Sequence, residues 1–223
     1  MTISAKNSHD VDLQETVVDE LQWTPAVNPA DIGVSVHDGV VTLSGEVDTY
    51  TERLAAKKAT LRVRGVSVVA DEIVVRSVTS AEDTDAEIAA VVQKVLGWSA
   101  SVPKDKVKAE VRDQVVWLTG TVDWDFQRQA TLRAVESVAG VRRVENGLTL
   151  TRRASASDTQ KLIKKALVRN ALVDADAITV TTQGAEVTLT GKVCSWAEKT
   201  QAGHAAWSSP HVEKVINRIE VHP

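Results

Sequence analysis

Apolar positions along this chain follow two periods, and the switch from one period to the other is itself repeated. Leu13, Val17 and Leu21 recur every fourth residue, which puts them on one face of a helix. From Ile32 the period shortens to two, through Ile32, Val34 and Val36, then Val41 and Leu43, with His37-Asp38-Gly39 between the two runs. Alternation broken by Asp-Gly predicts a β-hairpin. A stretch rich in Ala, Arg and Lys, "ERLAAKKATLRV", then favours a second helix, and Val69, Ile73 and Val75 predict a closing strand.

The same succession returns twice, with the first-helix stripe reappearing as Ile88, Val92 and Leu96 and as Leu162, Ile163 and Leu167. Aligned on Gly45, Gly120 and Gly191, the chain keeps its register without a gap: Val47, Val122 and Val193 stand two residues later, Arg53, Arg128 and Lys199 eight later, and Leu21, Leu96 and Leu167 twenty-four earlier. Repeats of this length are domains rather than solenoid turns. The expected fold is therefore α+β, with three tandem α-β-β-α-β units over 1–80, 81–153 and 154–223. Each unit is expected to be a small three-stranded mixed sheet with two helices on one face. Boundaries fall near residues 80 and 154, in "SVTSAEDT" and "RRASASDT". Units of roughly 70 residues have small cores, so they are expected to pack on one another.

Finer expectations follow. Asp12, Asp83 and Asp158 suit the N-caps of the first helices. Gly45, Gly120 and Gly191 mark a bend at the end of the second strand, where a residue without Cβ permits close backbone approach. Gly65 and Gly140 suit helix C-caps, while Pro210 and His211 replace that glycine in the third unit, whose second helix is expected to end earlier. Trp23 and Trp98, equivalent residues ending the first helix, are expected to pack beneath the following loop, with membrane-interface anchoring as the other reading. Trp124 and Trp196 are expected to staple the core edge beside Tyr50. Trp117 lies between Val116 and Leu118 and so faces away from the core, a candidate interaction residue where the other units carry Thr42 and Thr188.

Charge and composition narrow the function. The net charge of −4 hides an asymmetry: residues 1–80 carry seven basic and twelve acidic side chains, 81–153 eleven of each, and 154–223 eight and seven. No concentrated basic surface for nucleic acid results. The one local cluster of note, Lys161, Lys164, Lys165 and Arg169, shares a helix side and is a candidate contact for anionic lipid. A single cysteine, Cys194, rules out an intramolecular disulfide, and the polar, acidic opening and lack of long apolar runs predict a cytoplasmic protein without a transmembrane segment. Cys194, His204 and His211 have no counterparts in the other units, so neither a metal site nor a nucleophile with its base is expected, and no cofactor.

The "DGVVTLSGEV" hairpin, the helix behind it and the "RGVxxVxxxIVV" ending resemble the BON domain, named for OsmY-type osmotic-stress proteins and nodulation proteins. The third copy departs from the pattern in keeping only Gly191 of the paired glycines. The resemblance implies the α-β-β-α-β fold and a non-enzymatic, stress-related structural role, binding phospholipid surfaces or protein partners, with oligomers open to it. Many OsmY-like members are periplasmic, which is the alternative location. Cytoplasmic members include a potassium-binding type paired with a LysM domain, a segment this chain lacks. A cytoplasmic ion or small-ligand sensor is the alternative function.

Overall fold

A computed structural model of the chain describes residues 2–76, 84–151, 158–170 and 173–222, the side chains of 2–8 excepted. The proposed boundaries near 80 and 154, and Asp83, lie outside the described residues. The first unit comprises α1 (Thr2–Trp23), β1 (Ile32–His37), β2 (Val40–Val47), α2 (Tyr50–Thr60) and β3 (Val68–Val75). In the second these become α3 (Asp85–Trp98), β4 (Val107–Arg112), β5 (Val115–Val122), α4 (Asp125–Glu136) and β6 (Arg143–Leu150). The third is α5 (Thr159–Val168), β7 (Ile178–Gln183), β8 (Glu186–Val193), α6 (Trp196–Trp207) and β9 (Lys214–Val221).

The chain is α+β, and each unit holds a mixed sheet in which the middle strand pairs antiparallel with the first strand and parallel with the third. Hairpin geometry follows from the two turn residues: Asp38 and Gly39 both have positive φ, as do Asp113 and Gln114 in the second unit. A two-residue turn of this hand matches the twist of the flanking strands. The parallel third strand requires a crossover, which the second helix supplies. Helices cover one face of each sheet, where Val41 and Leu43, Val116 and Leu118, and Val187 and Leu189 are fully buried.

Gly45, Gly120 and Gly191 sit at φ of +123°, +129° and +132°. A Cβ on them would lie only 2.0–2.1 Å from the carbonyl oxygens of Asp31, Lys106 and Ala177. No side chain fits there. Gly65 and Gly140 also have positive φ, but they lie beyond the helices, which end at Thr60 and Glu136 with right-handed caps at Leu61 and Ser137. The intervening turn tucks Val63 and Val66, or Val138 and Val141, into the core. For the same reason Pro210 and His211 do not shorten α6: the glycine they replace belongs to the turn, and α6 is as long as α4.

The N-caps also differ from expectation. Asp12 lies well inside α1, which begins at Thr2. Thr84 caps α3 in a reciprocal capping box with Glu87, and Asp158 stands at the start of α5 without a capping bond from its side chain. The acidic residues that matter for tertiary structure are Asp10 and Asp85. Asp10 accepts from the backbone N–H groups of Asp38 and Gly39 (2.9 and 3.2 Å), and Asp85 accepts from those of Asp113 and Gln114 (2.8 and 2.9 Å). Each ties its first helix to the hairpin turn.

The units touch one another head to tail. From the first unit, Thr51 Oγ1 donates to the Glu136 carbonyl at the end of α4 (2.9 Å), and Tyr50 meets the backbone at Val144. Burial there raises the Tyr50 hydroxyl above its ordinary pKa, partly opposed by the Val144 hydrogen bond. From the second, Arg128 stacks over the Trp207 ring at the end of α6, 4.2 Å from its centre. From the third, the Trp196 indole donates to the Ser67 carbonyl of the first unit (3.2 Å). In each case the start of a second helix meets the end, or the following turn, of the next unit's second helix, and the third contact returns to the first unit.

Candidate functional site

The first helices carry the exposed features that the fold does not consume. In α1 the buried stripe is Leu13, Val17 and Leu21, each four residues apart. Trp23 stands two residues past Leu21, about 200° around the helix, and is therefore thrown outward. It is 83% exposed, and so is Trp98 at the end of α3. The expectation that these rings pack beneath a loop is corrected: Val27 and Val102 occupy that place.

At the corresponding end of the third unit stands Arg169, the C-cap of α5. Lys161, Lys164, Lys165 and Arg169 are all exposed, while Thr159, Ile163 and Leu167 form the buried side. Leu162, assigned from spacing to the core stripe, is instead 48% exposed, because the stripe is only wide enough for Thr159, Ile163, Ala166 and Leu167. Val168 is 72% exposed. The outward side of α5 thus interleaves four cations with two branched apolar side chains.

The outer sheet faces are mostly polar, with Thr42, Thr188 and Trp117 at equivalent positions. Trp117 is half-buried, with Glu110 opposite on β4 and Glu145 opposite on β6. Trp196 does not staple its own unit but reaches the first unit, whereas Trp124, the residue before α4, lines a shallow cleft with Phe126 and Trp207.

Two glutamines not singled out by sequence reasoning close sheet edges. Gln14 on α1 donates to the Val34 carbonyl (2.8 Å), and Gln160 on α5 donates to the Val180 carbonyl (2.6 Å). Their equivalent in α3 is Ala89. The matching register was the available signal, yet nothing in the sequence told which carbonyl they reach. Cys194 and His204 are exposed, and among the described residues no group of three His, Cys, Asp or Glu side chains is placed to hold a metal. Nor, among them, is any helix long and apolar enough to cross a membrane.

Three copies of this arrangement define the class. The BON domain profile matches residues 9–77, 84–152 and 155–223, and the chain belongs to the BON domain family. Among curated proteins it is similar to "Osmotically-inducible protein Y" of Escherichia coli (strain K12), with 35% identity over 127 residues. That match covers 55% of this chain and 63% of the relative, so the chain spans just under two thirds of it. Among solved structures it is similar to the C-terminal domain of CdsD, "the structural protein of the Type III secretion system of Chlamydia trachomatis", at 14% identity and a TM-score of 0.27, covering 96% of this chain and 98% of that one. The PrgH periplasmic domain follows at 13% identity and a TM-score of 0.22, covering 86% and 95%. Likenesses this weak do not bear on function.

Proposed function

We propose that this chain is a non-catalytic, stress-related interaction protein that adheres peripherally to anionic phospholipid surfaces. The observation that carries this reading is the outward side of α5, where Lys161, Lys164, Lys165 and Arg169 alternate with exposed Leu162 and Val168. Cations near an anionic surface contribute about 1 kcal/mol each, and apolar side chains among them add burial in the headgroup region. Trp23 and Trp98, fully outward at the equivalent ends of α1 and α3, supply rings of the kind that settle at that level. Osmotic induction, which the relative is named for, supports the stress-related part. The exposed free thiol of Cys194 suits a reducing compartment such as the cytoplasm.

Vesicle co-sedimentation tests the reading. Binding should require anionic lipid and fade as salt shortens the screening length from about 10 Å at 0.1 M to about 3 Å at 1 M. Replacing all four cations by glutamine should abolish it while leaving the melting curve unchanged. Wild type that ignores anionic vesicles at low salt, or a quadruple variant that binds equally well, overturns the lipid reading and leaves protein partners as the ligand class.

A further inference from the structure

The second unit differs from its neighbours at one sheet edge. In the first and third units the first-helix glutamine occupies the carbonyl of the edge strand's central residue, Val34 or Val180. Ala109 holds that register position in β4, opposite Leu118 as Val34 is opposite Leu43 and Val180 opposite Leu189. With Ala89 in place of glutamine, no described side chain reaches the Ala109 carbonyl. Gly97, where a Cβ would meet nothing within 4 Å, widens the same gap. The result is a groove of about 810 Å³ between α3 and β4, with Ala89, Leu96, Ala109 and Val111 in its lining. Equivalent positions elsewhere are better covered: Leu21 and Leu167 are 1% exposed, Val180 is 0% exposed and Val34 is half-buried, whereas Leu96 is half-buried and Ala109 exposed.

The open edge has a definite pattern. Along an antiparallel strand the N–H and C=O of one residue point to the same side, and successive residues alternate. Since the carbonyls of Val34 and Val180 point off the free edge, so does that of Ala109, together with the amide groups of Val107 and Val111. Natural sheets ordinarily blunt such a row, as Gln14 and Gln160 do here.

We infer that this edge is an interface for a second copy of the chain, in which two β4 strands pair antiparallel about Ala109. The argument is self-complementary charge. Centred on Ala109, the strand "VKAEVR" sets Lys108 of each copy opposite Glu110 of the other, twice, and Val107 opposite Val111 on the groove side. Ala109 faces Ala109, exchanging both N–H···O bonds, and the Lys108–Glu110 pairs fall at the closer non-hydrogen-bonded positions, where cross-strand pairs interact most. Among the described residues neither Lys108 nor Glu110 has an ion-pair partner within its own chain. The like-charged pairing, Lys106 opposite Arg112, also forms twice, and each is softened because Lys106 already holds Asp123 at 2.7 Å and Arg112 lies beside Asp113 at 3.7 Å. Neither "IGVSVH" nor "ITVTTQ", the strands of the closed edges, carries an acidic–basic pair to match. A contact of this kind is isologous and stops at two chains.

Sedimentation velocity on the full chain over a wide concentration series should show a monomer–dimer equilibrium. Glu110→Lys, which places like charges at both symmetric pairs, should weaken it about tenfold. The double exchange Lys108→Glu with Glu110→Lys restores opposite charges and should restore dimerisation. Ala89→Gln, which reinstates the cap used by the other two units, should abolish it with an unchanged melting curve. On a Cys194→Ser background, Ala109→Cys should oxidise to an interchain disulfide, because residues in a hydrogen-bonded pair lie about 5.5 Å apart at Cα, within the range a disulfide spans. A wild type that stays monomeric throughout overturns the proposal, whether or not the groove accepts some other extended peptide. So does a dimer indifferent to Glu110→Lys and Ala89→Gln.

Discussion

The second and third units place the same chain trace around different edges. In the third, Gln160 clamps the edge strand, Leu167 is sealed and the first helix turns cations outward; in the second, Ala89 leaves the edge open and Leu96 half-covered, and the first helix ends in an exposed tryptophan. What the units share sets the fold: the positive-φ glycine, the valines of the middle strand and the turn after the second helix. What they do not share lies on the first helix, at its outward side and its edge-facing position 89 or 160, and at Trp117 on the outer sheet face. Divergence between repeats therefore points to interaction surfaces more directly than any single copy does.

Substitutions at shared positions should act alike in both units. Gly120→Val and Gly191→Val each drive a Cβ into a backbone carbonyl at 2.0 Å and demand a φ that branched residues avoid, so each should destabilise its unit by about 3 kcal/mol or more. Thermal unfolding would show this as a lowered midpoint, and an unchanged midpoint for either would mean that the bend relaxes. Substitutions at diverged positions should separate the units. Leu167→Ala should cost about 3 kcal/mol and Leu96→Ala about 1 kcal/mol in denaturant titrations, since only the first removes a sealed side chain; equal losses would show that the groove over Leu96 is closed in solution. Gln160→Ala should cost about 1 kcal/mol by leaving the Val180 carbonyl without its partner.

The smallest effect concerns pH. The capping hydrogen bonds from Thr84, first through its hydroxyl and then through its backbone, hold the Glu87 carboxyl below its ordinary pKa. A depressed folded-state pKa gives stabilisation that is present above the unfolded value and is lost as pH falls through the folded one. Amide exchange in the first turn of α3, corrected for intrinsic rates, should therefore quicken as pH drops through the carboxylate range. The first turn of α5, whose N-cap Asp158 makes no such bond, should not follow. Parallel behaviour of both helices would assign the change to the units as wholes.

Much of the fold was legible because it is written three times: the hairpin with Asp38-Gly39, the alternating strands and the glycine bends all recur at fixed offsets. Local signals missed what depends on breadth or distance. Periodicity placed Leu162 on the core stripe, but a helix of 10 residues on a three-stranded sheet buries a narrower strip. Residue type alone favours burial of Trp23, while its angle of about 200° from Leu21 decides its exposure. Contacts between units join residues 85 and 129 positions apart, Thr51 with Glu136 and Trp196 with Ser67, and no period in the sequence encodes them.

The Trp196–Ser67 contact has a consequence for how strong it needs to be. It joins the third unit to the first, which no peptide segment connects directly, yet both are already tethered through the second unit. Tethering turns such an encounter into an intramolecular one, at effective concentrations of the order of millimolar. Keeping the circuit closed most of the time then needs only about millimolar intrinsic affinity, roughly −4 kcal/mol, from the indole hydrogen bond together with the packing around it. The same pair of surfaces on separate molecules would hardly associate, so cutting either inter-unit segment should release the third unit from the first without touching a single atom of the joint.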